Sequence, residues 1–176
     1  MIILEFCVNL PTDLNDFMNI EPNLHKKTFQ ELTTDELYEL LRVRSEVFVV
    51  EQNCVYQDMD GDDQKSIHMW LTVADKIVAL ARVCPAGTHM KEISIGRVIT
   101  TERGKGYGKP SYPDSHGIFS SIMEFCFSHD TNIRIDTHRD NKIMQHNILK
   151  HGFTYCGIIY LLSGDERLAY QKVVNR

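Results

Sequence analysis

Three apolar segments between residues 67 and 100 constrain the fold of this chain more than any other feature. "IHMWLTVA" and "IVALARVCP" are separated only by Asp75 and Lys76, and "ISIGRVIT" follows soon afterwards. A connection this short suits a β-hairpin. The pattern therefore predicts an antiparallel meander of three strands.

Helix and strand patterns lie on both sides of the meander. Before it, Thr33 and Glu36 have the spacing of a capping box, and an apolar helical period follows at Leu37, Leu40, Leu41 and Val47. After it, a helix is expected to start near Asp114 or Ser115 and to bury Ile118, Ile122, Phe125 and Cys126. "IRIDTH" is typical of a buried strand, and residues 141 to 151 are typical of a helix. "GFTYCGIIYLL" and "RLAYQKVV" flank the turn "SGDE" as a closing hairpin.

This order of elements predicts one α+β domain. A chain of 176 residues with 43% hydrophobic content is long enough for one substantial core and short for two. We assign residues 1–27 to an N-terminal extension and residues 28–176 to the domain.

Charge and cysteine content exclude several classes of protein. A net charge of -5 argues against a nucleic-acid partner. The five cysteines are an odd number without a CxxC pair, which favours neither a disulfide framework nor a zinc site. No apolar run approaches the roughly 20 residues that span a bilayer, and the apolar N-terminus lacks the basic region of a signal peptide. We expect a cytoplasmic protein without a membrane partner.

The acidic run "DMDGDD" from Asp58 invites comparison with a calcium loop. An EF-hand loop starting there needs glycine at Asp63 and glutamate at Met69, so the pattern fails and no metal is predicted. The run could attract a cationic amine, or it could be a solvated loop.

The segment "RGKGYGKPSYPD" from Arg103 has the glycine spacing of a phosphate-binding loop. Backbone N–H groups in such a turn suit a pyrophosphate, although a surface turn has the same composition. A Walker loop fails because Pro110 follows Gly108 and Lys109, and a dinucleotide fold fails because no βαβ unit is visible.

Together with its surroundings, this segment resembles the GCN5-related N-acetyltransferase (GNAT) family. The family's cofactor loop matches at Arg103, Gly106 and Gly108, "IGRVIT" is similar to its fourth strand, and Asn141 with Gly152 is similar to its second motif. The resemblance covers roughly residues 28–174, and "LRVRSEVFVVEQNCVYQDMDGDD" is similar to the ElaA-like branch. It implies a mixed central sheet, with an antiparallel meander and splayed fourth and fifth strands, flanked by helices.

The resemblance also implies a reaction and a cofactor site. The activity would be transfer of acetyl from acetyl-CoA to a primary amine of a small molecule or peptide, directly within a ternary complex. A bulge in the fourth strand would free Val98 and Ile99 to pair with pantetheine, and Asn141 would lie near the pantetheine arm unless it only caps a helix. The pyrophosphate would be held by Arg103, Gly104, Lys105, Gly106, Tyr107, Gly108 and Lys109.

Three departures from the family pattern affect this expectation. The link from Arg97 to Arg103 is about two residues shorter than usual, and Pro110 and Pro113 interrupt or delay the helix expected after the loop. Ile148 stands where the family often has a proton-donating tyrosine.

Substitute catalytic groups are therefore needed, since aminolysis of a thioester requires a base for the amine and a proton for the thiolate. Tyr155, Tyr160 and Tyr170 in the closing hairpin are candidate donors, with packing as the alternative. Glu92 is a candidate base and His138 a candidate proton relay, each with an ordinary surface role as the alternative.

A different function stays open at this point. Ile148, Pro110 and Pro113 also fit a catalytically degenerate module that binds CoA or a protein partner, or a structural domain without a cofactor. The sequence does not reveal the amine substrate or the oligomeric state, so a homodimer stays open.

Overall fold

The computed structural model describes residues 22–54, 56–101, 117–129, 132–161 and 164–173. Within these ranges seven strands form one sheet. The strands are β1 (Asn23–Thr28), β2 (Ile67–Val73), β3 (Lys76–Cys84), β4 (Ile93–Thr100), β5 (Asn132–His138), β6 (Thr154–Tyr160) and β7 (Glu166–Val173). The α-helices are α1 (Thr34–Arg44), α2 (Ile118–His129) and α3 (Lys142–Lys150).

The sheet has the order β1-β2-β3-β4-β5-β7-β6. Among the described strands, β4 and β5 pair in parallel and the other neighbours pair antiparallel. The predicted meander is confirmed as β2, β3 and β4, and the closing hairpin is confirmed as β6 and β7. The mixed α+β sheet flanked by helices is therefore as expected.

Strand β1 was not predicted, because Asn23–Thr28 carries mostly polar residues. It pairs along its whole length with β2 at the edge of the sheet. The ring of His25 stacks on Trp70 with centroids 4.9 Å apart, and Lys27 Nζ donates to Glu36 Oε1 at 2.7 Å. Residues 23–27, which the sequence boundary placed in the extension, are therefore part of the sheet, while residues 1–21 lie outside the described ranges.

The turn between β2 and β3 lies one residue earlier than predicted, at Ala74 and Asp75. Both residues have positive φ, 47° and 62°. Two left-handed residues in a two-residue loop are typical of a type I′ turn, whose twist matches that of the paired strands. The turn therefore fixes the register of this hairpin.

Helix α1 begins with the predicted capping box. Thr33 Oγ1 accepts from the backbone N–H of Glu36 at 3.2 Å, and Glu36 Oε2 accepts from the backbone N–H of Thr33 at 2.9 Å. The helix then continues as a π-helix over Ser45–Glu51. Such wider turns often occur near functional sites.

Helices cover both faces of the sheet. On the face that we call the α2 face, α2 and α3 cover a large buried cluster that includes Met69, Leu71, Ile95, Phe119, Ile122, Ile135 and Ile148. On the α1 face, α1 covers a smaller cluster that includes Leu40, Val43, Trp70, Leu80 and Ile99. Trp70 belongs to one cluster and its neighbours Met69 and Leu71 to the other, as alternation along a strand requires.

Candidate active site

Strands β4 and β5 separate after a short paired segment. Their register runs from Ile93 opposite Ile133 to Ile95 opposite Ile135. Beyond this point β4 continues beside β3, and β5 continues beside β7. We call the opening between Gly96–Thr100 and Asp136–His138 the fork.

A bulge in β4 lies at the start of the fork. Leu80 pairs with Ile99 and Arg82 with Gly96, so β4 has one more residue than β3 in this interval. Arg97 has a φ of 54°. Ile95 and Val98 both contact the α2-face cluster, although alternation would place them on opposite faces. The bulge therefore reverses the side-chain pattern, which confirms the expected splaying of the fourth and fifth strands.

The bulge also decides which backbone groups of β4 point into the fork. The N–H of Thr101 donates to the carbonyl of Val78 in β3 at 3.0 Å. Because successive residues of a strand direct their backbone groups to opposite sides, Val98 and Thr100 direct theirs away from β3 and into the fork. Val98 thus has the orientation that pairing with pantetheine requires. The same alternation directs the backbone groups of Ile99 toward β3. The pairing of Ile99 with pantetheine stays a prediction.

The acidic run from Asp58 forms a buried cluster with arginines, which the sequence did not predict. Asp63 Oδ1 accepts from Arg44 Nη1 at 2.7 Å and from Arg82 Nη1 at 3.1 Å. The remaining ion pairs of this arginine–aspartate cluster join Arg44 to Asp58, Arg82 to Asp60, and Arg97 to both Asp58 and Asp60. These carboxylates are therefore engaged within the protein and are not a solvated loop.

The pKa values of this cluster follow from its pairing. Burial by itself raises the pKa of Asp63, but hydrogen bonds and charges from Arg44 and Arg82 outweigh burial and lower the pKa below its ordinary 3.8. The pKa of Asp60 is lowered in the same way by Arg82 and Arg97. Asp60 and Asp63 are thus ionised at neutral pH, and the ion pairs of the cluster fix Arg97 at the bulge.

Asp136 is the first residue of β5 in the fork, and the sequence analysis missed it. Its neighbours Ile135 and Thr137 are buried, at 1% and 4% exposure, and Ile135 packs on the α2 face, so Asp136 points to the α1 face. Burial raises the pKa of Asp136, and the charges of Arg167, His89 and Arg97 oppose this only in part. A carboxyl group with a raised pKa beside a cleft suits a general base.

Arg167 of β7 lies diagonally across from Asp136, because Asp136 pairs with Ala169 and His138 pairs with Arg167. Its Cζ is 5.8 Å from the ring centroid of Tyr56, and the Cζ of Arg97 is 5.2 Å from the same centroid. Among the described residues, Arg97 has carboxylate partners whereas Arg167 has none at ion-pair distance.

Three buried polar atoms on the α1 face have no hydrogen-bond partner among the described residues, and one of them, Nε of Arg82, belongs to the arginine–aspartate cluster. The other two are Nε of Arg167 and Oγ of Ser94, which lies two residues before Gly96 on the same side of β4. Buried polar atoms are normally hydrogen-bonded, so these two are suited to receive a ligand or water. A cavity of about 310 Å³ is lined in part by Tyr56, whose ring Arg167 contacts, and by Asp58, which pairs with Arg97.

The predicted Glu92 and His138 lie far apart. Glu92 precedes β4, with Oε2 4.0 Å from Arg134 Nε, and His138 ends β5, where its Nδ1 accepts from the backbone N–H of Asp140 at 3.2 Å. Since Ile93 lies opposite Ile133, the two residues differ by about six positions along the strands, or roughly 20 Å. The structure does not bring them together, and their catalytic roles stay predictions.

Two of the three predicted tyrosines lie on edge strand β6, where Tyr155 is 54% exposed and Tyr160 is 68% exposed, and Tyr170 lies on β7. Tyr155 makes an edge contact with Tyr170, which is buried on the α2 face, at 5.8 Å between ring centroids. Tyr155 therefore lies on the opposite face of the sheet from Asp136. Ile148 is fully buried in the α2-face cluster.

Asn141 caps α3, since its Oδ1 accepts from the backbone N–H of Met144 at 3.0 Å. This accounts for the residue type, and its contact with the cofactor stays a prediction. The predicted loop from Arg103 to Lys109, together with Pro110 and Pro113, lies outside the described residues.

Two further observations concern other kinds of site. Within the described ranges, no three His, Cys, Asp or Glu side chains are grouped as metal ligands. None of the described helices is long and apolar enough to cross a membrane.

Comparison with known proteins identifies relatives, although no protein-family model matches the chain. The chain is 40% identical to protein ElaA of Escherichia coli over 105 residues, which are 56% of this chain and 63% of ElaA. It is 42% identical to the UPF0039 protein C11D3.02c of Schizosaccharomyces pombe over 109 residues, which are 58% of this chain and 71% of that protein. The match therefore spans a little under two thirds of the length of ElaA.

Solved structures show the same fold. An acyl-CoA N-acyltransferase from Pseudomonas aeruginosa superposes with a TM-score of 0.73 at 26% identity, covering 87% of this chain and 100% of that chain. The crystal structure of Escherichia coli ElaA gives a TM-score of 0.70 at 28% identity, covering 86% and 99%. The short parallel pairing of β4 and β5, the fork beyond it and the bulge in β4 agree with these relatives. The chain belongs to the ElaA-like branch of the GCN5-related N-acetyltransferase family.

Proposed function

We propose that this protein is an acyl-CoA-dependent N-acyltransferase that moves an acetyl group to a primary amine of a small molecule or peptide. The observation that carries the proposal is the fork, where β4 turns the backbone of Val98 away from β3 beside a half-buried acid, Asp136. The Pseudomonas aeruginosa structure of this fold is of an acyl-CoA N-acyltransferase, which supports the reaction class.

In this reaction, acyl-CoA supplies an acyl carbon already activated as a thioester. The N–H of Val98 is oriented to donate to the oxygen on which negative charge develops, and such fixed donors lower the barrier strongly. Asp136 takes one proton from the acceptor ammonium, so that the nitrogen lone pair can attack. The C–N bond forms, the C–S bond breaks, and the thiolate takes the second proton from nitrogen; the proton on Asp136 passes to solvent.

The test combines binding and turnover. Acetyl-CoA at about 100 times its dissociation constant stabilises a protein by about 2.7 kcal/mol, which raises Tm by roughly 5 to 10 °C for a chain of this size. The same protein is then incubated with acetyl-CoA and a panel of amines, and free CoA and N-acetylated product are quantified by mass spectrometry. We expect equal amounts of free CoA and N-acetylated product, above the amine-free control. The proposal is contradicted if acetyl-CoA gives no Tm shift and no amine gives product.

A second candidate function is a module that binds CoA without turnover. The buried Ile148 favours it, because no proton donor exists where the family often places a tyrosine. This alternative predicts the Tm shift without any N-acetylated product. The two functions are therefore separated by the turnover half of the same experiment.

A further inference from the structure

Within the part of the chain that the structure describes, one positive and one negative group at the fork have no ion-pair partner. In the arginine–aspartate cluster the three carboxylates Asp58, Asp60 and Asp63 are engaged by the three guanidinium groups of Arg44, Arg82 and Arg97. The cluster is balanced and offers no excess negative charge to a cationic amine. Outside this cluster, Asp136 and Arg167 are the two charged side chains at the fork among the described residues, and His89, which also acts on Asp136, pairs with Asp62.

These two residues are placed to hold opposite ends of one small molecule. They are diagonal neighbours on adjacent strands, a relationship in which Cα atoms lie roughly 7 to 8 Å apart. Among the described residues their charged groups are not at ion-pair distance, yet Arg167 still acts electrostatically on Asp136. A molecule with a positive and a negative group separated by one or two carbon atoms fits such an interval.

The guanidinium of Arg167 contacts an aromatic ring, but one of its buried nitrogen atoms lacks a hydrogen-bond partner among the described residues. Its Cζ lies over the ring of Tyr56, and its Nε is buried without a hydrogen-bond partner in the described ranges. An arginine fork presents parallel donors that match the two oxygens of a carboxylate. The nearby carboxylate of Asp136 disfavours a doubly charged phosphate at the same place.

We infer that the acceptor amine carries a carboxylate, which Arg167 binds while Asp136 receives the ammonium group. This inference rests on the proposed N-acyltransferase function and names the substrate class of the same site. The amino group, held at Asp136, lies beside the fork, so that its lone pair reaches the acyl carbon after deprotonation. An α-amino or β-amino acid has the required arrangement of groups.

The test uses matched acceptors with and without the carboxylate. The proteinogenic L-amino acids and β-alanine are each compared with their amides, with polyamines and with O-phosphoethanolamine, and kcat/KM is measured from N-acetylated product. We expect the best amino acid to exceed its own amide by at least about tenfold, the range of one charge-assisted hydrogen-bond pair. A preference for amides, polyamines or the phosphate compound overturns the inference.

A pair of arginine variants locates the carboxylate site. Arg167→Met is expected to raise the KM of the preferred amino acid at least about tenfold, leaving the KM of acetyl-CoA unchanged and abolishing the preference over the amide. Arg167→Lys restores part of the affinity. Arg139→Met is the matched control, because this exposed arginine pairs with Glu166 away from Asp136. The assignment is overturned if Arg167→Met raises the KM of the amino acid and of its amide equally. It is also overturned if Arg139→Met raises the KM of the amino acid as much as Arg167→Met does.

Binding is measured separately, so that loss of the reaction and loss of the inference are distinguishable. The wild-type protein saturated with CoA is titrated calorimetrically with the same amino acids and amides. Amino-acid binding that Arg167→Met weakens, without product from any acceptor, upholds the carboxylate site and overturns the proposed reaction. Absence of binding by every carboxylate amine overturns the inference, whatever the turnover with other amines.

Discussion

Gly96 and Asp136 are the first residues of β4 and β5 beyond their last paired position, and both belong to the α1 side of their strands. A Cβ atom built on Gly96 has no heavy atom within 4 Å among its surroundings. The half-buried Asp136 therefore lies across from open space at the point where the strands separate. A small acceptor placed there is close to both Asp136 and the fork.

Replacing Gly96 tests whether this space is used. The φ of Gly96 is outside the left-handed region, so a larger residue is accommodated without backbone strain. We expect Gly96→Leu to fill the space, lowering acetyl transfer at least about tenfold while the free energy of unfolding changes by about 1 kcal/mol or less. Gly96→Ala, the matched control, keeps most of the activity. Full transfer by a folded Gly96→Leu variant contradicts a site at this position.

Asp136→Asn is expected to increase stability at neutral pH. Because burial raises the pKa of Asp136 above its ordinary 3.8, the folded state binds more protons than the unfolded state between 3.8 and the raised pKa. Stability then falls as pH rises through that window, and the ionised carboxylate destabilises the fold above it. The variant should have a higher Tm than wild type at pH 7 and lose this pH dependence. Asp140→Asn, whose side chain is 84% exposed, should leave Tm unchanged.

The same variant should lose activity, because asparagine cannot accept the amine's proton. We expect kcat to fall by about 10²-fold or more, and the acidic limb of the pH–rate profile to disappear. The measurement is kcat from product formation across pH 5 to 9. A kcat of Asp136→Asn equal to that of the wild type would remove this residue from the mechanism.

Asp63 is expected to be essential to stability because it is shared by Arg44 and Arg82. Asp63→Asn removes the carboxylate charge that two buried guanidinium groups share. This change lowers the free energy of unfolding by about 3 to 5 kcal/mol. Since the pKa of Asp63 is lowered, its contribution is present above pH 3.8 and is lost as pH falls through the depressed pKa. Urea unfolding at several pH values measures both effects. The control Asp62→Asn breaks only the contact with the half-exposed His89 and should cost less than about 1 kcal/mol.

Asn141 has one shown role and one predicted role, which two substitutions separate. Asn141→Ala removes the helix cap and should cost about 1 kcal/mol, whereas Asn141→Asp keeps the acceptor and the stability. If the family resemblance holds for the cofactor, both substitutions raise the KM of acetyl-CoA. An unchanged KM in Asn141→Asp would limit this residue to capping.

The elements predicted best are those whose signals are local. The hairpin of β2 and β3, the capping box at Thr33 and the helix at Asn141 depend on residues close in sequence. Strand β1 was missed because it is a polar edge strand stabilised by a partner distant in sequence, as the pairing of His25 with Trp70, 45 residues later, shows.

The candidate site was harder to predict because its members meet only through the sheet. The acidic run was interpreted as solvent-exposed, since no local pattern reveals that Arg44, Arg82 and Arg97 converge on it. Asp136 left no such signal, because it alternates with Ile133 and Ile135 and lies on the polar side of the strand. Its position across from the open space at Gly96 follows only from the register of β4 and β5.

Amide hydrogen exchange along β4, followed by NMR with and without acetyl-CoA, tests the central claim most directly. We predict slower exchange at Val98 and Thr100, whose N–H groups point into the fork, and no change along β1 at the far edge of the sheet. Unchanged exchange at Val98 and Thr100 under saturating acetyl-CoA would contradict an acyl-CoA site in the fork.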